Sequence, residues 1–242
     1  MRAWTPLIFL SGLICVASTP LGAASLQASP TTFEMPAGKS ADTLTLHNSG
    51  SAKLNAQVRL YRWTQAGGEE KSELTSEVVA SPPMVSIEAG QDQVVRLVRT
   101  SKRPITGEET YRVVVDELPD TTTVKNGMIN FTFKYSIPMF FVADQSGKSQ
   151  LTWALEKQGD KSFIVARNDG NRRARIAGLK LGTQGGKEIV LGKGLNGYVL
   201  AGSQMRWVVP GSLGNIGVVS VTASSDEGPI NAEAQAQGSV HR

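Results

Sequence analysis

Apolar residues in this chain recur at every second position, and the runs are cut by Gly, Pro, Asn and Asp. Successive side chains of a strand point to opposite faces, so this period writes half-buried strands. Thr43-Leu44-Thr45-Leu46-His47 alternates and stops at the turn Asn48-Ser49-Gly50. Leu54, Ala56, Val58 and Leu60 alternate with Asn55, Gln57 and Arg59 on a strand that runs to Trp63 and closes at Gln65-Ala66-Gly67-Gly68. Val94–Val98, Tyr111–Val115 and the long run Ile129–Val142 continue the pattern. No stretch of helical period is long enough to compete. Strands spaced this way without intervening helices predict an all-β fold of antiparallel sandwiches.

The runs fall into two groups. Ala143-Asp144-Gln145-Ser146-Gly147-Lys148 is a polar break, and strands resume at Leu151, Phe163, Arg175, Ile189, Met205 and Val218. A length of 242 residues accommodates two such groups, placed at residues 25–143 and 144–242. Residues 1–24 read differently. Arg2, the apolar run Leu7–Ser18 and the small residues Gly22-Ala23-Ala24 form a signal peptide with cleavage expected after Ala24. The mature chain then has no cysteine, because Cys15 is the only one. The tail from Asn231 is small and polar and is expected to fray.

Residue chemistry removes most catalytic classes. One cysteine and two distant histidines, His47 and His241, cannot build a zinc or iron–sulfur centre, and neither histidine has a partner in the nearby sequence. Gly192-Lys193-Gly194-Leu195-Asn196-Gly197 fits a dinucleotide fingerprint, but Tyr198-Val199-Leu200 after it does not open a helix, so a Gly-rich hairpin is expected. Asn130-Phe131-Thr132 matches a glycosylation triplet inside a strand and is set aside. Arg172-Arg173-Ala174-Arg175 is read as a solvated hairpin end rather than a nucleic-acid footprint, which needs a wider basic face with aromatics. Asp116 and Glu117 are neighbours on a strand and point to opposite faces. The expectation is a protein that is not an enzyme, with no cofactor, no metal, no nucleic-acid partner and no small-molecule substrate.

One constellation stands out. Ile129, Phe131, Phe133, Tyr135, Ile137 and Met139 share a bulky apolar face, with Asn130, Thr132, Lys134, Ser136 and Pro138 on the other. Alternation alone leaves two readings open: the core side of an inner strand, or an edge strand that offers its apolar row to another protein by strand addition.

Val79-Ala80-Ser81-Pro82-Pro83, Ile87-Glu88-Ala89-Gly90, Val94-Val95-Arg96-Leu97 and Tyr111–Pro119 in this order resemble the periplasmic pilus-assembly chaperones, the PapD-like family. Tyr198-Val199-Leu200-Ala201-Gly202-Ser203 resembles the pattern of that family's second domain, and Arg62-Trp63-Thr64-Gln65 its archaic branch, which serves spore-coat-type subunits. The resemblance implies two immunoglobulin-like sandwiches in the periplasm. Such a protein lends a strand to incomplete pilus subunits and delivers them to an outer-membrane usher. Carried over by position, Ile129, Phe131, Phe133, Tyr135 and Ile137 form the donated row. The family's carboxylate anchor, an Arg on the first strand and a Lys on the donor strand, is replaced by Pro30 and Pro138. The two prolines are expected to mark the end of subunit pairing. Arg96, Arg99 and Arg112 are the candidate substitutes for the anchor. Of the family's interdomain charges, Glu117 and Asp226 fit and Val142 departs. The competing reading is a structural pilus subunit or adhesin. It is disfavoured because a subunit should be one incomplete domain, often with a disulfide. A secreted hydrolase lacks any nucleophile elbow.

Overall fold

The structure, a computed structural model, describes residues 26–119, 132–211 and 217–236. The leader with Cys15, the triplet at Asn130, His241, and two members of the apolar row, Ile129 and Phe131, lie outside the described residues. The described fold is all-β. Ten strands precede the polar break: β1 Leu26–Ser29, β2 Phe33–Pro36, β3 Ala41–Asn48, β4 Leu54–Ala66, β5 Glu69–Leu74, β6 Val78–Ser81, β7 Met84–Ile87, β8 Asp92–Arg99, β9 Glu108–Leu118 and β10 Lys134–Val142. Eight follow it: β11 Leu151–Gln158, β12 Lys161–Asn168, β13 Ala174–Thr183, β14 Glu188–Val190, β15 Leu195–Val199, β16 Gln204–Val209, β17 Val218–Ser225 and β18 Gly228–Ala236.

The first ten strands form two sheets, β1-β3-β8-β6 and β2-β10-β9-β4-β5, with β7 added beside β4. Between them lies a core that includes Leu26, Phe33, Leu44, Val58, Leu97, Val113, Ile137, Met139 and Phe141. These are the alternate positions expected from the period, because only one face of each strand meets the facing sheet. The last eight strands make one sheet in the order β14-β13-β17-β18-β11-β12-β16, with β15 beside β13. Their core is separate and includes Trp153, Leu155, Ile164, Ile176, Leu181, Val219 and Val221. Gly192–Gly197 leads into strand β15 and opens no helix, but it is not the expected hairpin: β14 and β15 both pair with β13, and the glycine-rich segment is the break between them.

Local chemistry fixes the turns. Gly67 and Gly68 have φ of 64° and 79° and form the two-residue loop between the paired residues Ala66 and Glu69. Positive φ at both loop positions matches the right-handed twist of the flanking strands, and glycine adopts it without strain. Each core also carries one buried asparagine with its amide satisfied. Asn48 donates to the carbonyls of Ala52 and Ile87, and Asn168 to those of Arg172 and Val199.

The first strand is divided. β1 pairs with β3 in one sheet, and the chain then crosses through exposed Pro30 so that β2 pairs with β10 in the other. Proline has no N–H to give a ladder, which suits it to this exit. β2 runs parallel to β10 and covers only Met139–Val142. β9 accompanies β10 over its whole length from Lys134 to Val142.

The apolar row is therefore not uniform. Ile137 is 3% exposed, and Met139 and Phe141 are fully buried in the core of their own sandwich, while Phe133 and Tyr135 are half-buried against its rim. Ile137→Ala should destabilise the protein by about 2–5 kcal/mol, in the range of buried large-to-small substitutions. Phe133→Ala should cost clearly less. Urea unfolding followed by circular dichroism measures both, and equal losses would place Phe133 in the core.

Candidate functional site

The site is the exposed half of β10. Glu117 N–H donates to the carbonyl of Phe133 at 2.9 Å, which sets the alternation of the β9–β10 ladder. In an antiparallel pair every second residue is hydrogen-bonded to its partner and the residues between turn their backbone groups away. Counting along the regular register, Tyr135, Ile137 and Met139 bond to β9, while Lys134, Ser136 and Pro138 direct their backbone groups outward. Beyond Pro138 those groups are taken up by β2. At Lys134 and Ser136 no described strand pairs with them. An open ladder edge therefore runs from Lys134 to Pro138 and ends at a residue that has no N–H.

The two faces of this strand do different things. On the inner face, Phe133 and Tyr135 continue the apolar line of Ile137 past the end of the enclosed core, and the Tyr135 hydroxyl donates to the carbonyl of Leu26 on β1. On the outer face Pro138 is buried, and Phe140 and Val142 join Trp63, Tyr198 and Leu200 in a third cluster that couples the two groups of strands.

The three candidate anchors occupy different places. Arg99 is spent internally: its side chain is 7% exposed, forms a fork with Glu109 at 2.8 Å on each arm, and also donates to the carbonyls of Ser101 and Arg103. Arg96 is exposed on the face of the β1-β3-β8-β6 sheet that points away from β10. Facing sheets are about 10 Å apart, so Arg96 does not serve the edge. Arg112 stands directly opposite Pro138 in the ladder, on the outer face. Its guanidinium lies 3.6 Å from the centroid of the Trp63 ring and meets Glu70 at 3.2 Å. Burial pulls the Arg112 pKa down, and the Glu70 charge only partly offsets it.

The joint beside this site was not foreseen. Arg172 and Arg173, expected to be solvated, are 15% and 6% exposed and bridge to Glu34 on β2 and Glu108 on β9, whose side chain is fully buried. The hairpin end packs against the first ten strands, and Arg172 and Arg173 meet the buried carboxylate of Glu108 and the partly exposed one of Glu34 there instead of water. Arg173 also lies 3.6 Å from the Phe140 ring centroid. The Gln65 side chain donates to the Tyr198 carbonyl and accepts from Leu200 N–H, at 2.8 and 2.9 Å. Arg206 on β16 pairs with Glu69. Of the residues expected at an interdomain cluster, Glu117 instead accepts from Phe133 N–H, and Asp226 meets Arg175 at 3.8 Å. His47, read as partnerless, bonds Asp92 through Nδ1 at 2.7 Å; the two are cross-strand neighbours far apart in sequence.

Burial works to raise the Glu34 pKa, but the Arg173 hydrogen bond and the charges of Arg173 and Arg172 outweigh it and hold the carboxyl below its ordinary value of 4.5. A depressed carboxyl contributes stability above the unfolded pKa and loses it as pH falls through the folded one. Arg173→Met should therefore destabilise the protein by about 3 kcal/mol near pH 7, since it removes the guanidinium bonded to buried Glu108 and leaves only Arg172 at 3.4 Å. That deficit should shrink as the pH falls through the lowered pKa of Glu34 and its carboxylate protonates. Thermal unfolding of wild type and variant from pH 7 to pH 3 checks this, and a constant deficit would refute it.

Comparison with known proteins places this edge in context. A family model described as "Pili and flagellar-assembly chaperone, PapD N-terminal domain" matches residues 25–145. No curated protein sequence matches. Among solved structures, similarity extends to a chain of the CsuC–CsuE chaperone–tip adhesion subunit pre-assembly complex from archaic chaperone-usher Csu pili of Acinetobacter baumannii. That match has 25% identity and a TM-score of 0.70, and covers 89% of this chain and 100% of that one. The YadV chaperone matches at 20% identity and a TM-score of 0.61, covering 87% and 99% of the two chains. A chain of the Salmonella enterica SafA pilin–SafB chaperone complex matches at 21% identity and a TM-score of 0.59, covering 87% and 96%. With half of its length matched by the family model and an open edge on the strand that follows β9, the chain belongs to the pili and flagellar-assembly chaperone family.

Proposed function

We propose that this protein is a periplasmic chaperone of the archaic branch. It captures spore-coat-type pilus subunits by lending β10 to them and passes them to an outer-membrane usher. The observation that carries this reading is the open ladder edge at Lys134–Pro138, in line with half-buried Phe133 and Tyr135. An incoming strand gains main-chain hydrogen bonds along the edge, and the apolar row fills the groove of a subunit that lacks its own strand. Each large side chain buried contributes roughly 1.5–3 kcal/mol, so no nucleotide is required. The donated row extends from Ile129 and Phe131 through Phe133 to Tyr135. Ile137 belongs to the enclosed core and aligns the row rather than being given away. The similarity to the Csu chaperone complex supports the archaic assignment. In this reading the signal peptide ends at Ala24, and two immunoglobulin-like domains meet near residue 144.

Pro138 ends the pairing, and Arg112 receives the subunit's terminal carboxylate. A strand added along β10 lies two strand spacings from β9, about 9–10 Å, which an extended arginine can cross over the low ring of Pro138.

The ladder supplies the test. Ser136→Pro removes an N–H that faces outward and should abolish subunit capture while the fold survives. Tyr135→Pro removes one that bonds β9 and should damage the sandwich itself. Phe133→Asp should behave like Ser136→Pro. Co-purification of a tagged chaperone with its subunit, alongside circular dichroism, separates the cases. Full capture by Ser136→Pro would refute strand lending at this edge.

A further inference from the structure

Arg112 is held differently from Arg99, the other anchor candidate paired with a carboxylate. Arg99 meets Glu109 through two nitrogens at 2.8 Å each. Arg112 reaches both oxygens of Glu70 through Nη2 alone, at 3.3 and 3.2 Å. A fork of two parallel bonds is the strong form of the arginine–carboxylate contact, and this is not one. The side chains also differ in exposure: Arg112 is 16% exposed and Glu70 38%. Glu70 lies on β5, every residue of which is exposed, at the end of the two-glycine turn. Nothing but Arg112 is bonded to its carboxylate among the described residues. Arg112 also rests on Trp63, a fully buried ring whose face attracts the cation, 3.6 Å from the ring centroid.

From this we infer that Glu70 is a placeholder: its carboxylate occupies Arg112 in the free chaperone and is displaced by the C-terminal carboxylate of a captured subunit. This rests on the reading of Arg112 as the anchor. A half-buried guanidinium with no counter-charge would be costly in the unloaded protein. A loose contact from an exposed strand supplies the counter-charge without competing strongly. Both carboxylates are chemically alike, so exchange of one for the other keeps the cation paired at every stage. Glu70 thereby sets how strongly the site prefers a chain end: a tighter contact would lock Arg112 away from the edge, and none would leave it open to any anion.

The probe is a peptide with a strand of alternating apolar residues, made as free acid and as C-terminal amide, titrated by calorimetry against the full chain. Wild type should favour the acid. Glu70→Gln should strengthen binding of the acid roughly two- to five-fold, the worth of an exposed ion pair, and leave the amide unchanged. Arg112→Ala should erase the preference for the acid, and adding Glu70→Gln to it should then do nothing. Weaker acid binding by Glu70→Gln, or an unchanged acid-to-amide ratio while Arg112→Ala still erases the preference, would overturn the placeholder alone. An acid preference that survives Arg112→Ala would overturn the anchor beneath it.

Discussion

The binding edge depends on where the parallel ladder between β2 and β10 stops. β10 is a fully paired inner strand from Met139 to Val142 and a half-paired edge strand from Lys134 to Pro138, although it keeps one continuous register with β9 throughout. What changes is the neighbour. Because the first strand gives its earlier residues to one sheet and its later ones to the other, it can cover only part of β10. The buried half, with Ile137, Met139 and Phe141 fixed in the core, holds the exposed half straight and in register. A site built as the continuation of a paired ladder is held extended before any strand arrives, which lowers the ordering cost of capture.

The outer face of the same strand meets the joint. Phe140 and Val142 lie against Trp63, Tyr198 and Leu200, with Arg112 and Arg173 stacked on the aromatic rings at 3.6 Å. Gln65 imitates a strand neighbour by bonding the backbone of Tyr198 and Leu200. It reads main chain rather than side chains, so residues 198–200 are held without demanding a particular partner sequence. Apolar burial supplies the attraction at the joint, and the ion pairs of Glu34 and Glu108 constrain its geometry. Buried ionic groups contribute more to specificity than to stability when their desolvation is counted.

Much of this was legible in the sequence because strands write their pattern locally. Alternation at Leu54–Leu60 and Val94–Val98 gives both the strand and its core face, and the Gly67-Gly68 turn names its own conformation. The apolar row was visible too, but its division at Ile137 was not. That depends on where β2 lands, and β2 lies a hundred residues away in the chain. The same holds for His47 with Asp92 and for Arg172 and Arg173 with Glu34 and Glu108: each pair is long-range, and a run of arginines looks the same whether it faces water or a buried carboxylate. The anchor candidates could be narrowed only once the sheet of each was known, since Arg96, Arg99 and Arg112 sit on similar alternating strands.

Pro138 has one further effect, which comes from symmetry. Two copies of this protein meeting edge to edge would be related by a two-fold axis, and their β10 strands would run antiparallel about Ser136. Each Pro138 would then face the other copy's Lys134, and the missing N–H would be missing twice, once at each end of the shared ladder. A foreign strand laid along the same edge meets the proline only once. On the role proposed for it, Pro138 therefore penalises self-pairing twice and capture once. A molecule that carries an unpaired edge is in this way biased toward binding a strand other than its own.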